Sequence, residues 1–183
     1  MAENKVKFGL KNVHYAVWNA SNSSYGTPVA VPGAVNLSLD PQGDETKFYA
    51  DNIAYYVSSS FTGYSGDLEL ARITDQMRQD LWGDTLDATD KVLIESVGTE
   101  PATFALMGQI DGDQNNRLFV FYNCVASRPG FGSSTIGETK EPQTESCTIT
   151  ISPRPSDNKV KAVTTDTTTS TVVNGWFSSV YGA

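Results

Sequence analysis

The sequence has 183 residues, a formal net charge of −8, two cysteines and one histidine. A chain of this length can bury a sizeable core without metal or disulfide staples, so we expect residues 1–183 to form a single domain. The acidic balance argues against an electrostatic nucleic-acid binder, because neutralising phosphates requires clustered Lys and Arg. No stretch approaches the roughly 20 apolar residues of a membrane helix, and the charged N-terminus does not resemble a secretory signal.

The first third of the chain predicts strands separated by loops. Residues 13–18 alternate between aromatic or apolar and other residues, which is typical of a strand. Residues 35–39 alternate strictly and predict a strand with Val35, Leu37 and Leu39 facing inward. Residues 40–45 are rich in turn formers and are expected to break this strand. Residues 46–50 fit either a short strand or part of a long loop.

A strand, a turn and a second strand are expected between Ile53 and Ala71. Residues 53–57 are β-branched and aromatic, which suits a half-buried strand. Residues 62–66 supply turn chemistry. Residues 67–71 then alternate, which places Leu68 and Leu70 on one face and Asp67 and Glu69 on the other.

A short amphipathic helix is predicted over residues 74–82. Thr74 can cap it, and Gly83 can end it in a left-handed conformation. Its apolar stripe repeats every four residues, which predicts one face packed on the core. The residues of this stripe are Ile73, Met77 and Leu81.

The second half predicts further strands around one long loop. Strands are expected over residues 91–96, 103–110 and 117–126, and the last two form a hairpin. Its core candidates are Phe104, Leu106, Phe119 and Phe121. Residues 127–143 contain Pro and Gly and no periodic pattern, and a loop of that length is usually functional or mobile.

A further strand is expected over residues 144–151, with Cys147, Ile149 and Ile151 on one side. Cys124 and Cys147 both lie in strand-like runs, so we expect buried free thiols rather than a disulfide.

No constellation in the sequence supports catalysis, metal binding or a cofactor. His14 lies in an alternating strand without a nearby Ser, Cys or acid, although triads can assemble from distant segments. Residues 111–116 start like a calcium loop. However, Asn116 replaces the turn glycine and Tyr122 the bidentate Glu, so a polar hairpin turn is the better interpretation.

The hairpin-helix segment carries a family resemblance. Tyr64-Ser-Gly-Asp-Leu-Glu-Leu70 with the capped helix ending Leu81-Trp-Gly83 resembles the major tail proteins of long-tailed siphophages infecting Gram-positive hosts. Residues 104–108, 118–124 and 143–150 are similar to that family's next hairpin and its loop-then-strand. The resemblance spans residues 35–151, and its motifs are turn glycines and strand aromatics rather than chemical signatures.

The resemblance implies a mainly β fold of two packed antiparallel sheets with one flanking short helix. It also implies a virion protein, assembled in the bacterial host cytoplasm, that forms stacked hexameric rings. The implied partners are other copies of itself, with the tape measure, tail terminator and distal tail proteins. DNA would pass through the tube during ejection without specific binding. Closing a ring removes exposed sheet edges, and an acidic wall repels phosphate.

Two hypotheses about named residues follow from this resemblance. The first places Asp67 and Glu69 at the lumen, with ordinary solvent-facing acids as an equally weighted alternative. The second assigns contacts with subunits of the same ring or the next to the loops 40–52 and 127–143 and to both termini, with a C-terminal arm over residues 164–183. The interface candidates are Asp44, Phe48, Tyr49, Phe131, Trp176, Phe177 and Tyr181. Aromatics near a chain end usually have a partner, although a C-terminal strand folded onto its own domain is the alternative.

A competing interpretation is a receptor- or carbohydrate-binding β-sandwich module of a phage tail tip. Such modules expose aromatics in a concave patch, whereas Phe48, Tyr56 and Phe104 are expected in strands where core or interface roles suffice. An enzyme of unrecognised type ranks third. Electron micrographs discriminate between them, since rings or tubes support the structural interpretation and a glycan-binding monomer supports the second.

Overall fold

A computed structural model describes residues 4–137 and 139–183, and its main feature is a large antiparallel sheet. The protein is mainly β, with 45% strand and 8% helix, which confirms the mainly β, sandwich-like fold class. The elements are β1 (Lys7–Asn19), β2 (Ser24–Tyr25), β3 (Val29–Ala30), β4 (Ala34–Gln42), β5 (Glu45–Ala50), β6 (Ile53–Ser59), β7 (Gly63–Leu70), α1 (Asp75–Trp82), β8 (Thr85–Leu86), β9 (Leu93–Ile94), β10 (Phe104–Gly112), β11 (Arg117–Ala126), β12 (Glu145–Ile151), β13 (Lys161–Val163) and α2 (Ser170–Gly175).

The large sheet has the strand order β2-β1-β10-β11-β12-β7-β4, with β3 beside β1 and β13 beside β11. The chain around β3 brings β4 back towards β1. The amide of Val31 donates to the carbonyl of Val13 at 2.8 Å, and the amide of Ala71 donates to that of Gly33 at 2.7 Å. The sheet therefore curls around one core. That core contains Leu68, Phe104 and Ile149, each fully buried.

The helix matches its sequence prediction. The Thr74 Oγ1 accepts a hydrogen bond from the Met77 amide at 3.2 Å, and Gly83 ends α1 with a φ of 70°. Ile73, Met77 and Leu81 are all buried in the core. The apolar stripe thus holds α1 against the sheet, and Trp82 Nε1 donates to the Ala126 carbonyl at 3.0 Å.

The predicted hairpin of β10 and β11 is confirmed, with Leu106 opposite Phe121 and Gly108 opposite Phe119. The strand over Glu145–Ile151 is confirmed too, and its Cys147, Ile149 and Ile151 are buried. Both cysteines are buried free thiols, as predicted. Burial raises the pKa of the Cys147 thiol to about 11, so it stays protonated at neutral pH.

The prediction that Val35 faces the core is wrong. Ala34 pairs with Leu70 and Asn36 with Glu69, so Val35 is an extra residue in a β-bulge and its side chain is exposed. A bulge breaks the alternation on which the prediction rests. Beyond it, Leu37 and Leu39 pack against the core as expected.

The predicted turn over residues 62–66 is also wrong, because Gly63–Leu70 is one continuous strand between β4 and β12. Gly66 lies where the neighbouring backbone comes close, since a Cβ there would stand 1.9 Å from the Ser38 carbonyl oxygen. Gly66 therefore allows two strands to pack closely and does not form a turn.

The real turn of this region lies at Asp51 and Asn52, whose φ angles are 51° and 61°. Positive φ at two successive residues is typical of a tight hairpin turn. The predicted break over residues 40–45 comes later than its first residues, because β4 runs through Asp40 and Pro41 at the edge of the sheet and ends at Gln42. The expected loop over residues 40–52 is therefore mostly strand.

Two other segments differ from the predictions. The strand expected over residues 91–96 is reduced to Leu93–Ile94, which pairs only with Thr85–Leu86. The C-terminal segment contains the short helix Ser170–Gly175 and packs on the outer side of β10 and β11. Trp176 and Val180 are buried there against Met107, Val120 and other residues of the sheet.

Candidate assembly surfaces

A two-stranded ribbon projects from the sheet. We call this ribbon the arm (residues 44–60), and we call residues 164–183 the C-terminal segment. It continues the β4–β7 pair, because the Thr62 amide donates to the Gln42 carbonyl at 2.9 Å and the Ser60 amide to the Asp44 carbonyl at 2.8 Å. Within the part of the chain that the structure describes, β5 and β6 then pair only with each other. At about 3.3 Å per residue, their six to seven residues extend about 20 Å from the body.

The arm carries a run of apolar side chains on each strand and is exposed along almost its whole length. Every residue of β6 is exposed, and so is every residue of β5 except Ala50. Tyr55 is 71% exposed, Tyr56 62% and Phe48 60%. Tyr49, Ile53 and Val57 are exposed beside them. Contiguous exposed apolar surface of this kind marks an interaction site, and a two-stranded hairpin by itself is only marginally stable in water.

A groove opens between β4 and the first part of β1, with a cavity of about 560 Å³. Its floor is apolar and consists of Leu37, Leu39, Tyr64, Ile110, Phe119 and Phe121. Its rim is basic and consists of Lys5, Lys7, Arg117 and Lys161. Among the described residues, β4 pairs only with β7, and Lys7–Lys11 only with β10. We call this site the basic-rimmed groove.

Beyond the exposed bulge residue Val35, the outer surface of β4, β7 and β12 carries short polar or acidic side chains. We call it the acidic face, and it consists of Asn36, Ser38, Asp40, Ser65, Asp67, Glu69, Ser146, Thr148 and Thr150. None of these nine residues is basic or aromatic. Thr148 Oγ1 donates to Asp67 Oδ1 at 2.7 Å, and Thr144 Oγ1 donates to Glu69 Oε1 at 2.6 Å. These hydrogen bonds hold the two carboxylates along the surface.

The two faces of β7 agree with the alternation in its sequence. Leu68 and Leu70 are fully buried, Asp67 is exposed and Glu69 is half-buried. The sequence did not reveal that β4 and β12 flank these acids with further hydroxyls and with Asp40. That arrangement depends on strand order and register.

The C-terminal segment contacts its own domain more than the interface hypothesis assumed. Trp176 is only 3% exposed, and its Nε1 donates to the Phe119 carbonyl at 3.3 Å. Phe177 is half-buried and stacks on His14, with ring centroids 4.4 Å apart. Within its own chain Trp176 therefore has little surface left for a neighbour. Tyr181 is exposed and stacks on Trp176.

Hydrogen bonds from Arg154 to Asp157 and Gly182 hold the end of the chain, and we call this group of three residues the clasp. Arg154 donates to both carboxylate oxygens of Asp157 at 2.9 and 2.6 Å, and to the Gly182 carbonyl at 2.7 Å. Its guanidinium also lies 4.5 Å from the centre of the Tyr122 ring, whose hydroxyl donates to the Tyr181 carbonyl. The hydrogen bond from Arg154, with another from Lys159, holds the pKa of the Asp157 carboxyl well below its usual range.

The long loop over residues 127–143 is anchored at its beginning. Arg128 Nη1 lies 2.9 Å from Asp84 and 2.9 Å from Glu95, and its Nη2 donates to the Trp82 carbonyl at 2.8 Å. Further along, the Phe131 side chain is fully exposed. Phe131, Tyr181 and the arm aromatics are thus the interface candidates with free surface, as is Asp44 at the base of the arm.

The arm was not predicted from the sequence, although the sequence contains one signal for it. Two apolar runs separated by two turn residues, here Asp51-Asn52, indicate a hairpin. The turn was instead predicted at residues 62–66, because Gly63 and Gly66 are typical turn residues. The basic-rimmed groove gave no signal, because its residues come from segments that lie far apart in the chain.

The chain matches no protein-family model and no curated protein. Within residues 4–137 and 139–183, no helix has both the length and the apolarity needed to cross a bilayer. No cluster of His, Cys, Asp or Glu suited to a metal ion occurs in those same ranges.

Proposed function

We propose that this protein is a structural subunit that assembles with copies of itself into stacked hexameric rings, forming a phage tail tube. The exposed apolar arm is the observation that carries the proposal. An arm of this composition costs free energy in water unless another surface covers it. No surface of its own body covers it among the described residues.

The acidic face supports a role as a conduit for DNA. A wall of hydroxyls and carboxylates without basic or aromatic side chains offers a phosphate backbone neither an ion pair nor a stacking platform. Asp40, Asp67 and Glu69 repel it instead. In the proposed tube this face lines the lumen, so DNA slides through during ejection without specific binding.

The fold is compatible with ring formation. Unpaired sheet edges are templates for pairing with another chain, and closing a ring removes them. The β4 edge carries such unpaired groups among the described residues. The tape measure, tail terminator and distal tail proteins remain the proposed partners of the finished tube, in the virion.

A receptor- or carbohydrate-binding tail-tip module remains the second candidate. The exposure of Tyr55 and Tyr56 favours it, because exposed tyrosines can stack on sugar rings. These residues lie on a projecting ribbon rather than in a concave patch. Self-association therefore explains the arm better.

Negative-stain electron micrographs and sedimentation of the concentrated protein test the proposal. We expect rings or short tubes and a sedimenting species much larger than 19.8 kDa. A species that stays monomeric at every concentration, and binds a glycan, would contradict the proposal and support the second candidate.

A further inference from the structure

The arm and the basic-rimmed groove have complementary properties. The arm presents exposed aromatic and β-branched side chains, and the groove has an apolar floor. The arm carries three carboxylates and one lysine. Glu45 pairs with Lys47 at 3.0 Å, which leaves the charges of Asp44 and Asp51 to meet a partner.

The rim of the groove is a positive site on a protein of net charge −8. Lys5, Lys7, Arg117 and Lys161 outnumber Asp111, the one carboxylate in the lining, even though Arg117 also lies 3.8 Å from Asp166. Complementary charges of this kind steer association and fix orientation. The volume of about 560 Å³ lies in the range that accommodates several side chains.

The arm cannot fill the groove of its own chain in this structure. Leu39 and Tyr64 stand at the root of the arm and line the groove, while β5 and β6 lead away from the body and stay exposed. A contact between the arm of one copy and the groove of another is heterologous, so it leaves a free arm at one end and a free groove at the other. Such contacts propagate as rings or stacks.

We propose that the arm of one copy docks in the basic-rimmed groove of a neighbouring copy, with Asp44 and Asp51 facing the basic rim. This inference rests on the proposed self-assembly and names the two surfaces that meet. The apolar floor takes the arm's aromatic side chains out of water, and the rim determines which way the arm enters.

Photo-crosslinking within the assembled protein tests the pairing directly. A photo-reactive phenylalanine replaces Tyr56, and this chain is mixed with an isotope-labelled wild-type chain so that contacts between copies are recognised by mass. We expect cross-links from residue 56 to groove peptides around Leu39, Phe119 or Val163 of the labelled copy. The same group in place of Val97, an exposed residue of another loop, serves as the control and should give none.

A blocking substitution gives an independent readout. Val163 lines the groove and is partly exposed, so Val163→Trp fills the groove without disturbing the buried core. We expect self-association to weaken at least about tenfold, equivalent to the loss of one good contact. Val125→Trp is the matched control, because Val125 is similarly exposed on β11 but does not line the groove.

The outcomes separate this inference from the proposed function. The arm–groove pairing is overturned if rings or tubes form normally while residue 56 cross-links to another surface. It is also overturned if Val163→Trp does not weaken self-association. In both cases the proposal of a tube still holds. A protein that never self-associates overturns both.

Discussion

At the scale of single residues, β7 shows how alternation separates two roles on one strand. Leu68 is fully buried, and its neighbour Asp67 is exposed and accepts a hydrogen bond from the Thr148 hydroxyl at its carboxylate. The first side chain supports the fold, and the second is available for the acidic face. The two can therefore be tested separately by substitution.

We expect Leu68→Ala to lower the free energy of unfolding by about 2–5 kcal/mol, because it leaves a cavity in the core. Asp67→Asn keeps the shape and should change stability by less than about 1 kcal/mol. Denaturant unfolding of the monomer measures both. A larger loss for Asp67→Asn than for Leu68→Ala would contradict the assignment of the two faces.

At the scale of elements, the clasp between Arg154 and Asp157 ties the C-terminal segment to the sheet. The carboxyl pKa is depressed below its usual 3.8 in the folded state by the hydrogen bond from Arg154. A depressed carboxyl pKa stabilises the fold above the unfolded value, and this contribution is lost as the pH falls through the folded value. The clasp is therefore expected to be sensitive to acid.

We expect Asp157→Asn to be less stable than the wild type at neutral pH and to approach it as the pH falls below 3.8. Thermal unfolding across an acid pH series measures this difference. Asp90→Asn, at an exposed turn away from Arg154, is the control for removing a surface carboxylate. A difference that grows on acidification would contradict the role of the clasp.

The arm is the element whose sequence is hardest to explain within a single copy. Its tyrosines contribute to no core of the monomer, so the double substitution Tyr55→Ser with Tyr56→Ser should leave monomer stability almost unchanged. The same substitution should weaken self-association at least about tenfold, because aromatic anchors dominate interface energetics.

Sedimentation equilibrium measures the association, and denaturant unfolding measures the monomer. Val97→Ser is the control, because Val97 is fully exposed outside the arm. Equal association of the arm variant and the wild type would exclude the arm from the interface.

At the scale of the whole molecule, the sequence predicted the fold class and the local periodic elements well. The stripe of α1, the cap at Thr74 and the β10–β11 hairpin follow from spacing alone, since each depends on residues close in the chain. Strand order and register could not be predicted. They bring β4, β7 and β12 together from distant segments to form the acidic face.

The errors have specific physical causes. The bulge at Val35 shifts the alternation by one residue, and Gly66 serves close backbone packing where a turn was expected. The exposure of the arm was unpredictable from composition, because its residues are those of a buried strand. A sequence that specifies an interface looks locally like one that specifies a core.

An image reconstruction of the assembled protein by cryo-electron microscopy would show both the bore and the arms. We expect a tube whose bore is lined by the acidic face, with Asp67 and Glu69 pointing into it and each arm covered by a neighbouring copy. Particles in which these carboxylates face the exterior, or in which the arms remain in solvent, would contradict this expectation.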